Sequence, residues 1–282
     1  MVFKKLKSWA KINLSLNIIK RLQNNYHSIE SLITFVDIFD EIKIKIINQK
    51  KHKVSFSGKF SNGIGKNNTI ITLLKLLEKK KLLKNKKFEI KIKKNIPQKS
   101  GLGGGSMNAA SILKYLRQNK IINISNKKAN KIAYKVGSDV ILGLEKKNSI
   151  LFKNKKIARL NKKLNLHVLI VMPNFGCSTK KIYFKIQRFS KPLYLKKSNQ
   201  FFKLNNLARS KNDLEYVVFK EYPKVKNLND FLLNLPNIVF VRMTGSGSAI
   251  AAYFKSKNSA EKATKIFKKK YRSYWYILSK TI

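Results

Sequence analysis

Four of the chain's 12 glycines, Gly101, Gly103, Gly104 and Gly105, fall within five consecutive positions. They belong to the run Pro97, Gln98, Lys99, Ser100, Gly101, Leu102, Gly103, Gly104, Gly105, Ser106 and Met107. Backbone without side chains can turn its N–H groups toward an anion, and a following helix adds unpaired N–H groups and the positive end of its dipole. The chemistry this spacing suggests is phosphate binding. Glycine-rich turns also join strands to helices for steric reasons alone, so that reading stands beside it. The run is not a P-loop, because no Gly-Lys-Ser/Thr closes it. Nor is it a dinucleotide fingerprint, since Ser106 occupies the place of the third glycine.

Acids are scarce: 13 Asp and Glu against 62 Lys and Arg. Asp139 lies in an apolar stretch, between Val136-Gly137-Ser138 and Val140-Ile141-Leu142. A carboxylate in such surroundings must be paired or functional, because burying it alone is costly. Asp37, within Phe35 to Phe39, has a similar setting and reads as a strand or turn residue. Lys11 is the natural partner of Asp139. A lysine beside an aspartate keeps the carboxylate ionised and adds positive charge where transferred phosphate accumulates negative charge. The alternative is that Lys11 is a solvent-facing strand residue. Tyr26-His27 follows the polar Gln23-Asn24-Asn25. It reads either as the packed start of a strand or as a heterocycle site, one ring stacking and the other bonding an edge.

The elements that must position these residues follow from periodicity. Ala10 to Ile18 alternates, with Ile12, Leu14, Leu16 and Ile18 on one face and Lys11, Asn13, Ser15 and Asn17 on the other. Residues 29–47 read as further strands, and 89–96 as the strand before the glycines. The helical spacing of Ala109, Ala110, Leu113 and Leu116 predicts a helix over 106–116. Further helices are predicted over 69–83, 126–136, 225–235 and 260–271. Strands are predicted over 167–172, 239–242 and 274–278, and a second glycine turn, Gly245-Ser246-Gly247-Ser248, precedes an apolar segment, 249–254. A lysine- and asparagine-rich stretch over 145–165 separates the halves. This mixed order predicts an α+β fold rather than a doubly wound parallel sheet.

Composition narrows the class. With 282 residues and 43% hydrophobic content the chain has room for a sizeable core. Its net charge of +49 is spread evenly amid many Ile and Asn, which points to compositional drift rather than a nucleic-acid patch. The excess would still attract phosphorylated substrates. Cys177 is the only cysteine, which excludes an intrachain disulfide and a multi-cysteine zinc site. No apolar run approaches the roughly 18 to 20 residues a membrane span needs. Lys11 and Asn13 interrupt what would be a signal-peptide apolar region, so a soluble, cytoplasmic protein is expected.

Taken together, several segments resemble the GHMP small-molecule kinases. They are Ala10-Lys11-Ile12-Asn13-Leu14, Tyr26-His27, Ile96 through Ala110, Gly137-Ser138-Asp139-Val140, Ser178-Thr179 with Tyr183, Asn212-Asp213-Leu214, and Arg242 to Gly247. The resemblance implies two domains, a ribosomal-protein-like N-terminal ATP domain over 1–155 and a C-terminal α+β domain over 156–282. The last strand could pack back on the first domain, and the active site would lie in the cleft. It implies ATP held by Pro97 to Met107, Asp139 accepting a hydroxyl proton, Lys11 orienting it, and in-line transfer with magnesium, whose ligands stay unknown. Tyr26, His27 and Tyr183 would hold a cytosine, with Asn13 and Thr179 lining the pocket. The implied substrate is thus a cytidine diphosphate-linked methylerythritol of isoprenoid synthesis, rather than a mevalonate- or homoserine-type acceptor. A monomer or homodimer with no nucleic-acid or membrane partner is expected; a basic RNA-binding module is the other reading. The chain departs from the family pattern at Asn24-Asn25, Ser28-Ile29, Gln98-Lys99-Ser100, Met107 and Val140-Ile141.

Overall fold

The computed structural model describes residues 2–23 and 26–282, so Asn24 and Asn25 of the expected polar turn lie outside the described residues. The chain packs as two compact units interleaved in sequence. One comprises Met1–Lys11, Ile38–Gln98 and Gly103–Lys146; the other comprises Ile12–Asp37, Lys99–Leu102 and Lys147–Ile282. The boundary read from sequence, between 155 and 156, is a single cut. The long strands β1 (Lys4–Arg21) and β2 (His27–Ile47) instead contribute residues to both units.

In the first unit, β3 (Lys53–Ser57) runs parallel to β4 (Lys87–Lys93), and β4 pairs antiparallel with Glu41–Ile47 of β2. Three helices accompany this sheet: α1 (Thr69–Lys79), α2 (Gly104–Gln118) and α3 (Asn126–Val136). Asn68 caps α1 by accepting from the N–H groups of Ile70 and Ile71, and Ser125 caps α3 by accepting from that of Lys128. On α2, Ala109, Ala110, Ile112, Leu113 and Leu116 are buried; a fully buried Leu or Ile contributes roughly 1.5–3 kcal/mol. That apolar face holds the glycine-bearing first turn in place.

In the second unit, Ser31–Ile33 of β2 pair with β5 (Asn148–Leu151), which pairs with β6 (Ile157–Leu160). The stretch expected to be a separator therefore contains a hairpin. Its turn closes through Phe152 N–H to the Lys156 carbonyl at 2.9 Å. A second, antiparallel sheet has the order β10 (Trp275–Lys280), β7 (His167–Met172), β9 (Ile250–Phe254), β8 (Phe240–Met243). The helices of this unit are α4 (Thr179–Phe184), α5 (Leu204–Arg209), α6 (Leu214–Glu221), α7 (Pro223–Leu233) and α8 (Lys257–Lys270). β7 is apolar on both faces because both are covered, and Leu169, Val171, Leu228, Leu232, Ala252 and Phe267 share one core. Beyond β10, Thr281 bridges Val36 of β2.

Candidate active site

Lys11 sits in β1 with 3% of its surface exposed. Its Nζ lies 3.3 Å from Oδ2 of Asp139. Asp139 follows α3 and opens a 3₁₀ turn over Val140–Leu144. Its side chain is 38% exposed, while Val140, Ile141 and Leu142 after it are buried. The apolar neighbours thus anchor the turn, and the carboxylate itself faces outward onto the lysine. The polar face of β1 is not solvent-facing: Lys11, Asn13, Ser15 and Asn17 are all 5% exposed or less. Alternation shows which residues share a face but not what covers it.

The glycines divide into different tasks. Gly103 adopts φ +73° as the N-cap of α2, and a Cβ there would stand 2.9 Å from Cγ of Lys11. Only glycine leaves room for the lysine stem on its way to Asp139. The first α-helical bond of α2 is Met107 N–H to the Gly103 carbonyl at 2.9 Å, so the N–H groups of 103–106 have no i−4 carbonyl. Gly105 is exposed and Ser106 half-buried at this end. Gly104 packs closely on Ile96 and on the Lys94 ammonium. Gly101, at φ +79°, serves a close approach instead: a Cβ there would fall 2.0 Å from the Thr244 carbonyl oxygen. The Thr244 hydroxyl donates to the Gly101 carbonyl, and Ala249 N–H donates to that of Ser100.

Other members of the run have support roles. Gln98 donates to the carbonyls of Phe60 and Asn62. Pro97 and Leu102 are buried, Lys99 is exposed at φ +50°, and the Ser100 hydroxyl accepts from Leu102 N–H. Met107 is 1% exposed and packs on Gly143, so its side chain points away from the exposed first turn.

Asn13 is a clamp as much as a lining residue. Its Nδ2 donates to Ser31, its Oδ1 accepts from Gly245 N–H, and its own N–H donates to Thr244. Thr179 Oγ1 lies 2.7 Å from Ser246 Oγ, so both hydroxyls join the second glycine turn. His27 and Tyr183 come together, with centroids 5.3 Å apart. Tyr26 instead stands 70% exposed, and its carbonyl accepts from Leu22 N–H. Burial, and after it the Arg21 guanidinium, hold the His27 pKa below its usual value.

Sequence reasoning missed the Asp40–Lys94 pair, buried at 0% and 3% exposure. Asp40 also accepts from the N–H groups of Asn95 and Ile96, which fixes the approach to the glycines. Its parity with the buried Ile38, Ile42 and Ile44 was the available signal. Asp37, by contrast, is an exposed strand residue as expected.

A family model described as the GHMP kinases N terminal domain matches residues 68–146, and one for the GHMP kinases C terminal matches 196–273. A 4-diphosphocytidyl-2-C-methyl-D-erythritol kinase of Pelagibacter ubique is 49% identical over 99% of both chains. The chain belongs to the GHMP kinases. A kinase of the same name from Anaplasma phagocytophilum is 31% identical over 97% of this chain and 92% of that one. Two solved structures share the fold at low identity. A 4-(cytidine 5'-diphospho)-2C-methyl-D-erythritol kinase has a TM-score of 0.77 at 21% identity, covering 98% of this chain and 99% of that one. Homoserine kinase from Cytophaga hutchinsonii has 0.67 at 17%, covering 100% and 97%.

This GHMP kinase is an ATP-dependent small-molecule kinase with the two-domain α+β fold that its sequence implied. The matched N-terminal segment contains the glycine run and Asp139. Lys11, Asn13, His27, Thr179 and Tyr183 lie outside both matched segments, so substrate choice is carried by the full-length likeness. Among the described residues no helix is long and apolar enough to cross a membrane.

Proposed function

We propose that this GHMP kinase transfers the γ-phosphoryl group of ATP to the 2-hydroxyl of 4-diphosphocytidyl-2-C-methyl-D-erythritol, in the non-mevalonate route to isopentenyl diphosphate. The observation that carries the substrate is the 49% identity over 99% of both chains to the Pelagibacter ubique kinase of that name. The chemistry is supported by the 3.3 Å Lys11–Asp139 pair beside the glycine-capped start of α2.

Asp139 accepts the hydroxyl proton as the acceptor oxygen attacks the γ-phosphorus and the bond to the β-phosphate oxygen breaks. Lys11 holds the carboxylate in place and offsets negative charge on the transferring group. The N–H groups of 103–106 receive the phosphates. Placement and charge, more than base strength, set the rate of such a transfer. Among the described residues no three His, Cys, Asp or Glu side chains gather as a metal cage. Magnesium takes one or two protein oxygens and otherwise phosphate oxygens and water. The Ser106 hydroxyl, half-buried at the start of α2, would hold it. Bound there, it would supply positive charge against the phosphates.

Tyr26, His27 and Tyr183 take the cytosine, with Asn13 and Thr179 ordering the turn beside them. ATP binding is assigned to residues 1–155 and support of the substrate to 156–282. The enzyme works in the cytoplasm as a monomer or homodimer, without a nucleic-acid partner, since both substrates are water-soluble anions.

The test is ATP consumption with three acceptors offered separately: the cytidine-diphosphate compound, mevalonate and homoserine. Turnover confined to the first is expected. Preference for an acceptor lacking cytidine would sink the assignment.

A further inference from the structure

The segment that follows α4 carries an aromatic residue that the reaction does not use. Phe189 is 48% exposed, yet its ring lies nearly parallel to that of His27, at 25° and 6.5 Å between centroids. Tyr183 meets the same imidazole from α4 at 47°. Both nitrogens of His27 are closed to solvent and have no hydrogen-bond partner among the described residues. The residue as a whole is half-buried, and a ring with two unmet, closed nitrogens is expensive to keep unless a partner arrives.

The segment is fastened immediately after this contact. Ser190 N–H donates to the Ile18 carbonyl at 2.8 Å, and its hydroxyl to Asp213 Oδ2 at 2.8 Å. The N–H groups of Leu193 and Tyr194 donate to Oε2 of the fully buried Glu30, at 2.9 and 3.2 Å. The Tyr194 hydroxyl lies 2.6 Å from that of Ser15. Two carboxylates thus hold a surface segment whose neighbouring aromatic covers a histidine. Loops gain such anchoring where their side chains must be placed accurately.

We propose that Phe189 is a positioning residue for the nucleotide end of the substrate, holding the His27 imidazole against Tyr183 so that only local movement is needed to turn its nitrogens, closed in the free protein, to the cytosine edge. The proposal rests on the reading of His27 as a base-recognition residue. The cover also favours neutral imidazole, since burial is the main cause of its lowered pKa. Arg21 from β1 is the charged group acting with it, and Tyr183 is the titratable neighbour from α4. Neutral imidazole offers one donor and one acceptor, and the acceptor suits the exocyclic amine of cytosine.

The experiment uses the full chain with Phe189→Ala, Phe189→Leu and His27→Ala. Steady-state kinetics are measured with the cytidine-diphosphate acceptor, and the His27 ring is titrated by NMR in the free protein. Phe189→Ala is expected to raise KM for that acceptor roughly 5- to 10-fold, the scale of one aromatic pair, with kcat and KM for ATP kept. It should also raise the His27 titration midpoint, and Phe189→Leu should recover part of both effects. An unmoved midpoint, with KM still raised by His27→Ala, overturns the role of Phe189 alone. An unchanged KM in His27→Ala overturns the base-recognition reading and this proposal with it.

Discussion

Lys11 reaches Asp139 only because residue 103 has no side chain, since a Cβ there would meet the lysine stem at 2.9 Å. The pair is therefore a property of three positions, and the two charged ones can be tested separately. Asp139→Asn keeps the shape but removes the proton acceptor, so turnover should fall by roughly 10²- to 10⁴-fold while ATP binding stays nearly intact. Lys11→Met keeps an unbranched apolar stem beside Gly103 and should lose about 2–4 kcal/mol of transition-state stabilisation. Its melting temperature should stay close to wild type, because the partly exposed Asp139 carboxylate remains solvated. Rate and thermal unfolding measured together decide this; an unchanged kcat in either variant removes that residue from the mechanism. Asp139 stood out in sequence as a carboxylate among apolar residues, whereas Lys11, on the polar face of a clear strand, read more readily as a solvent-facing residue. The burial of Lys11 was not legible, because alternation shows which residues share a face and not what covers it.

The glycine loop shows where an element outruns its motif. From sequence, four glycines share one purpose, with a steric turn as the competing reading. In the folded chain the glycines differ from one another by position. Gly101 is steric, pressed on the Thr244 carbonyl at a positive φ, while Gly105 is an exposed helical position whose Cβ would stand 3.4 Å from Thr69 Oγ1. Gly101→Ala should destabilise by about 3 kcal/mol or more, since backbone on both sides cannot yield. Gly105→Ala should be neutral or stabilising by up to about 1 kcal/mol, as helix propensity favours alanine. Urea unfolding distinguishes them, and equal midpoints would show that the approach of Gly101 to Thr244 is wrong. The contact partner of Gly101 lies far along the chain, so no local pattern could reveal it. The β5–β6 hairpin was hidden for another reason: lysine and asparagine there give a linker's composition, whereas pairing with Ser31–Ile33 of β2 makes β5 a strand.

At the scale of the whole molecule the question is what 62 basic residues against 13 acidic ones do. The acids are largely engaged: Asp40 with Lys94, Glu78 with Lys87, Glu89 with Lys45 and Lys91, and Asp139 with Lys11. Most lysines therefore repel one another across solvent. Such a field draws polyanions, and both proposed substrates carry several phosphate charges. It also strains the folded state, because compaction brings like charges together. Added salt acts on these two effects in opposite directions, with a screening length of about 10 Å at 0.1 M. Raising KCl from about 20 to 300 mM should lower kcat/KM for both substrates while raising the melting temperature. The Lys11–Asp139 pair is in direct contact, with the lysine buried, and is screened far less, so kcat should change little. Kinetics and thermal unfolding along one salt series check all three trends. A kcat/KM that stays flat as the melting temperature rises would mark the charge as a burden on the fold with no part in capturing substrate.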